Sequence, residues 1–405
     1  VYHEVETGYE PKLTYQNGQG IPVLPEGISV KNFDLISVAG IKNLERRLSD
    51  AIDLGLVIDD KLAKIELTDD KGIDILGNLI VGNGDSLNKR FYGHLYLALR
   101  ALYGHIVDPV HEYGVAPGVL QHFETALRDP TYYRIVKRIL VLFQSYKNHL
   151  KRYTHDELAY AGVKIESVDI DKLITYFDDF EFDLNGAVDI GKIEDASHVD
   201  IRARQHRLTH KPYSLKVNID SDKAAKVLVR VFLGPKYDSL GNLLTIDEKR
   251  NYMVEIDRFP YEVTVGKTEI QRNSRDSSAI VHDQTSYRVL IKKVEDAIAG
   301  KETFYIDNSD RHCGFPERLL IPKGTKTGLP LSLFVIVSPY EGKDLNIHKS
   351  LVACGAGIRY TDVDTKPLGY PFDRVIVDYD FYTPNMYEKD VIVFHKKQEE
   401  LNKAI

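Results

Sequence analysis

The chain has 405 residues, 53 Lys and Arg against 60 Asp and Glu for a formal charge of −7, and 43% hydrophobic residues. That length predicts two or three domains, each able to bury a core of its own. The acidic balance and ordinary apolar content exclude a nucleic-acid coat, an anionic-membrane binder, a disordered chain and a fibrous repeat.

The longest nearly apolar run, 91–107, is interrupted by His94, Arg100 and His105 and is too short to cross a bilayer, so no membrane insertion is expected. The chain opens at Val1 with no Met and no basic-then-apolar leader, so a targeting peptide is expected to have been removed or to lie upstream. From Asp34 onward, Ile41, Leu44, Leu48 and Ile52 recur at helical spacing until Gly55, which predicts an amphipathic surface helix. Residues 88–106 are apolar around nearly the whole circumference, the pattern of a central helix packed on all sides. Ala116-Pro117-Gly118 predicts a shorter helix through Arg128. Asp129 followed by Pro130 is a cap plus first-turn proline, and Val136, Ile139, Leu140 and Phe143 then form one stripe to about His149.

The period changes in the second half. Leu215, Val217 and Ile219, then Val227, Val229 and Val231, recur every second residue, as strands require. Apolar runs at 253–256, 287–291, 331–337, 375–379 and 391–394 continue the series, so an antiparallel sandwich or barrel is expected. The switch is placed near 160–200, where Asp178, Asp179, Glu181 and Asp183 interleave with aromatic residues. That stretch is expected to be a packed turn with a solvated face rather than a calcium site.

Fourteen histidines raise the question of a metal. His94 and His105, eleven apart on the expected central helix, would lie ~16 Å from one another along its axis, too far to share an ion. His206 and His210, crowded by Arg202, Arg204 and Arg207 just ahead of a strand, are expected to be a hydrogen-bonded surface pair. Gly77-Asn78 and 82–85 are expected to be turns rather than nucleotide loops. No His-Glu-x-x-His string, Gly-x-Ser-x-Gly elbow, phosphate loop or Asn-x-Ser/Thr acceptor occurs, so the common catalytic signatures are missing. Tyrosine dominates the aromatic residues, 25 against 15 Phe and no Trp. Cys313 and Cys354 suffice for one bridge but not for a Cys-rich zinc site, and by themselves leave the redox compartment open.

Several strings are distinctive. Residues 8–13 (Gly-Tyr-Glu-Pro-Lys-Leu), 72–78 (Gly-Ile-Asp-Ile-Leu-Gly-Asn), 117–125 and Arg128-Asp129-Pro130 resemble the second domain of the arthropod hemocyanin superfamily. Residues 210–213, 313–316 (Cys-Gly-Phe-Pro), 321–324 and 369–374 are similar to its third domain, while 232–238, 252–259 and 384–387 are most similar to its hexamerin branch. The resemblance implies an α plus β multidomain fold: a partial hemocyanin middle domain over 1–165, then an antiparallel immunoglobulin-like β-sandwich over 166–405. It implies that the amino-terminal part of the subunit is missing, one copper half-site included. In the oxygen-carrying and phenoloxidase branches the other half-site uses two histidines four apart on one helix and a third on the helix after Arg-Asp-Pro. Counting from Asp108-Pro109 and from Arg128-Asp129-Pro130 places these at Tyr96, Arg100 and Val136, which offer a phenol, a permanent cation and no donor. His94 is turned ~200° from Tyr96 around a helix and is no substitute.

The resemblance therefore implies a copper-free, non-catalytic amino-acid store, secreted into insect hemolymph as a hexamer of identical or related subunits. It carries no cofactor and no nucleic acid. Cys313 and Cys354 are then expected to be a disulfide in an oxidising compartment. The alternative is a hemolymph carrier of a small apolar ligand such as a hormone or lipid.

Overall fold

The computed structural model describes residues 29–122, 125–184, 201–283, 287–304, 314–340 and 365–401. The chain packs as two units, Val1–Arg152 and Tyr153–Ile405.

In the first unit the helical stripes fold as their spacing dictates. Helix α1 (Val38–Leu54) starts at Ser37, whose hydroxyl accepts from the Gly40 amide, and ends at Gly55 in the left-handed conformation. It buries Ile41, Leu48, Ala51 and Ile52. A small antiparallel pair, β1 (Leu56–Ile58) and β2 (Lys64–Glu66), precedes α2 (Gly72–Val81). Gly77 and Asn78, expected in a turn, sit inside α2. The expected turn does form at 82–85, where Asn83 Oδ1 accepts from the Asp85 amide at 3.1 Å.

The single helix expected over 88–106 is broken into α3 (Lys89–Tyr92) and α4 (Leu95–Gly104). Gly93 causes the break: its φ of +69° suits glycine, and a Cβ there would lie 2.9 Å from Leu44 Cδ2. His94 and His105 become the residues flanking α4. The helix expected from 116 to 128 reduces to single 3₁₀ turns at Val119–Gln121 and Ala126–Arg128. These press closely on α4, with the Gly118 amide donating to Gly104 O at 2.7 Å.

Helix α5 (Pro130–His149) has the expected start, Asp129 accepting from the Thr131 amide with Pro130 in the first turn. Its buried face is Ile135, Leu142 and Tyr146; Ile139 and Phe143 are half-buried and Leu140 is exposed. The stripe read from sequence is thus rotated by about one residue. Leu48, Leu76, Leu79, Leu95 and Leu120, all fully buried, centre one apolar core.

The second unit opens with α6 (His155–Leu158), set by a reciprocal Thr154/Glu157 capping box. The strands are β3 (Val163–Ile170), β4 (Leu173–Asp183), β5 (Arg202–His210), β6 (Ser214–Ser221), β7 (Ala225–Pro235), β8 (Val254–Val263), β9 (Gly266–Asn273), β10 (Ile280–Val281), β11 (Phe315–Pro316), β12 (Leu329–Pro339) and β13 (Met386–His395). Six form one sheet in the order β5-β4-β13-β12-β7-β8, and three form another in the order β3-β6-β9. The sandwich is antiparallel except between β13 and β4, and between the two-residue strands β10 and β11.

The centre of the six-stranded sheet is buried on both faces. Val229, Val231, Leu333, Val335 and Val393 point into the core shared with the three-stranded sheet. Phe232, Phe334, Ile336 and Met386 point the other way, against Leu158, Ile246, Tyr370, Phe372 and Phe381. Double burial explains why the centre of β12 reads as a continuous apolar run and why β7 is apolar on both sides of the fully buried Arg230. Ile246 comes from the short helix α7 (Ile246–Arg250), held by a second capping box, Thr245/Glu248.

Four readings of this half are corrected. The acidic stretch around Asp178 is strand β4, with Asp179 paired across from His206 on β5, so His206 and His210 lie within a strand rather than ahead of one. Residues 287–291, read as a strand, begin helix α8 (Tyr287–Ile298), because their apolar period continues through Val294 and Ile298 at 3.6. Residues 375–379 are an irregular segment running into a helical turn at Asp378–Phe381. Their amide at Ile376 donates to Asp247 Oδ1 at 2.8 Å instead of to a neighbouring strand.

Candidate functional site

Of the residues singled out for chemistry, Tyr96 and Arg100 lie where α4 meets the 119–121 turn and Tyr132 of α5. Tyr96 and Arg100 are one turn apart on α4 and share a face. The Arg100 guanidinium donates from Nε at 3.2 Å and Nη2 at 2.7 Å to one acceptor, Leu120 O. It also lies 5.6 Å from the centre of the Tyr96 ring. Gln121 Nε2 donates back to Arg100 O at 3.1 Å, closing the clamp. Val136 is half-buried on α5, one turn beyond Tyr132. Burial pushes the Tyr132 phenol up, aided by the neighbouring Tyr96 and Tyr133 and opposed by Arg100, so it stays neutral at physiological pH. The site is a packed, cation-containing junction between helices.

This donor set does not fit copper. A guanidinium keeps its proton and repels a metal ion, valine offers no lone pair, and one phenol is not a binding site. Among the described residues no group of three or more His, Cys, Asp or Glu side chains is arranged to hold an ion. Three of the described histidines are engaged elsewhere. His105 stacks on Phe33 with ring centres 3.9 Å apart, and its Nδ1 lies 2.9 Å from Ala101 O. His206 pairs with Asp179 at 2.9 Å, and His210 Nε2 lies 2.8 Å from Glu317 O. Cys313 and Cys354 lie outside the described residues.

Sequence reasoning missed the polar cluster in the second unit. Lys249 Nζ, Ser332 Oγ and Tyr382 Oη all donate to the Glu388 carboxylate. Burial alone would raise the Glu388 carboxyl, but these three donors outweigh it and hold the group below the usual carboxylate range. Asp257 is likewise surrounded: Oδ1 accepts from the Arg258 and Ser278 amides at 2.9 and 2.8 Å, and Oδ2 from Arg272 Nε at 2.9 Å. Both carboxylates are saturated by donors and brace the sandwich. Local sequence could not have shown the first, since Lys249 and Ser332 lie 139 and 56 residues from Glu388 in the chain.

A helical unit followed by a sandwich of six and three strands defines a two-domain protein of the hemocyanin type. Residues 152–395 match the family described as hemocyanin, ig-like domain, and residues 1–143 that described as hemocyanin, copper containing domain. The chain belongs to the hemocyanin family. It is 49% identical to allergen Cr-PI of Periplaneta americana over 98% of this chain and 58% of that protein. It is 48% identical to the hexamerin of Blaberus discoidalis, covering 98% of this chain and 61% of that one. Among solved structures, a scorpion hemocyanin in its activated state superposes with a TM-score of 0.82 at 30% identity, over 96% of this chain and 63% of the other. The chain thus spans about three-fifths of the length of these relatives.

Proposed function

We propose that this chain is part of a copper-free storage subunit of insect hemolymph, kept for the amino acids it contains and without catalytic residues. The observation that carries this reading is the replacement at Tyr96, Arg100 and Val136, which fills the expected metal junction with side chains unable to hold copper. Similarity to hexamerins, arylphorins and larval serum proteins supports it. So does an amino-acid content in which tyrosine and phenylalanine supply 25 and 15 residues. The helical unit is then the carboxy-terminal share of a middle domain, and the native particle a secreted hexamer of identical or related subunits. No helix among the described residues is long and apolar enough to cross a membrane.

Cys313 and Cys354 would form a disulfide in that compartment. Closing a 41-residue loop (354 − 313) would stabilise the fold by roughly 4 kcal/mol in the chain-entropy model. The carrier reading draws less support: a cleft at the end of β4 and β5 is lined by Glu181, Arg202, Ala203 and Arg204, charged groups unsuited to an apolar guest. Sizing the native particle tests the storage reading. Six subunits are expected, and a single-chain particle would contradict it.

A further inference from the structure

We propose that the ribbon formed by β4 and β5 is a self-complementary contact, through which a second copy of this chain docks across a two-fold axis parallel to the strands. This rests on the hexameric storage reading, since it names how two of the subunits meet. The observation is a face whose two halves carry opposite charge. Strand β4 is bonded to β13 only at Leu173–Thr175, whereas its pairing with β5 runs on to Asp183. In that extension Asp179, Glu181 and Asp183 lie opposite His206, Arg204 and Arg202. Residues two apart on a strand share a face with the residues directly opposite them, so every acid of this face is on one strand and every base on the other.

Within the chain these groups already pair. Glu181 Oε1 accepts from Arg204 Nε at 2.9 Å and from Nη2 at 2.6 Å, and His206 Nδ1 lies 2.9 Å from Asp179 Oδ1. Exposed pairs of this kind each contribute little to stability, and a ladder of alternating polarity would hold the two strands equally well. Uniform polarity does what alternation does not: it sets an acidic column beside a basic one, about 5 Å away. The columns are open to a partner, with Glu181 and Arg204 42 and 65% exposed and Asp179 and His206 53 and 65%. Both bonds from Arg204 go to Oε1, which leaves Glu181 Oε2 and Arg204 Nη1 outside that pair.

Geometry selects the axis. Half a turn about a line parallel to the strands, above the face and midway between the columns, exchanges left and right and lays each acidic column over the other copy's basic column. A two-fold axis across the strands in the same plane would set acid against acid and base against base. A patch of three residue pairs is smaller than the ~800 Å² per partner of a standard interface. The ribbon therefore fixes which copies meet and in what orientation, as charge complementarity does, within a larger assembly.

The test is a charge swap, Glu181→Arg with Arg204→Glu, in the full-length protein, which keeps both the pair within the chain and the match between like copies. Wild-type and swapped subunits are co-expressed, distinguished by mass and read by native mass spectrometry. Each mixed contact opposes two like-charged pairs, so swapped subunits should enter six-subunit particles in even numbers, with odd-numbered particles at least about tenfold below their statistical share. Two single variants, Arg204→Glu and Glu181→Arg, give the converse when co-expressed: each matches the other and repels itself, so particles should hold three of each. Far-UV dichroism checks that every variant folds. A statistical distribution of subunits in either mixture overturns the proposal. Six-subunit particles that mix statistically refute this inference alone; a single-chain wild-type particle refutes the storage reading on which it rests.

Discussion

Phe334 and Val335 are neighbours on β12 whose side chains leave opposite faces of the six-stranded sheet, and both are fully buried. Phe334 packs edge-on to Phe372, ring centres 4.8 Å apart, and lies 5.8 Å from Phe381. Val335 faces the second sheet. A buried phenylalanine removes about 200 Å² from water, and at ~25 cal/mol per Å² its loss is worth about 5 kcal/mol as an upper value. Measured Phe→Ala changes in cores run at about 3–5 kcal/mol. Val335→Ala deletes two carbons, about 1.6 kcal/mol of transfer free energy, and the cavity left behind brings it to about 2–3 kcal/mol. Urea titration of each variant should lower the midpoint of the sandwich transition with the slope unchanged. In a sheet with one wet face, one of two adjacent substitutions would be nearly silent. A cost below about 0.5 kcal/mol for either variant would refute the two-faced burial of this sheet.

Glu388→Gln leaves the Lys249 ammonium, 8% exposed, without its counter-charge and should cost about 3–5 kcal/mol in chemical denaturation. Because the folded Glu388 carboxyl lies below the ordinary value of 4.5, its stabilisation is complete above that value and fades as pH falls through the folded pKa; the Gln variant should lack this acid limb. Asp129→Ala removes the cap of α5 and should cost about 1 kcal/mol, seen as a lowered melting temperature. Burial, then the charge of Lys323, lowers the His395 imidazole below its usual 6.5. The unfolded chain therefore binds that proton more readily, and stability should fall as pH drops below 6.5. Histidine NMR titration should place His395 below its ordinary value of 6.5, and Lys323→Gln should raise it.

The sequence made the helical unit legible where stripe, cap and terminator agree. Ser37 to Gly55 and Asp129 to His149 each carry a capping side chain at the start and regular apolar spacing. It misled where a single residue overrides the pattern: 88–106 reads as one helix, and only packing against Leu44 shows that Gly93 must break it. In the sandwich, β7 was visible through its every-second valines, β12 because burial on two faces fills its centre with apolar residues, and β13 only through its apolar end at 391–394. Strand β4 was not, because its outer half alternates carboxylates with aromatics and is paired only with β5. Helix α8 was mistaken for a strand because a five-residue apolar window does not distinguish the two periods. At the candidate site, the identities of Tyr96, Arg100 and Val136 were open to reading. The clamp of Arg100 on Leu120 O depends on a turn twenty residues away and was not.

The central claim is that the junction of α4 and α5 holds no copper. Equilibrium dialysis of the native protein against copper, followed by metal analysis and absorption spectroscopy under oxygen, tests it directly. Copper well below one ion per chain and no peroxide-to-copper band are expected; one or two ions per chain with a coupled binuclear signature would contradict the claim.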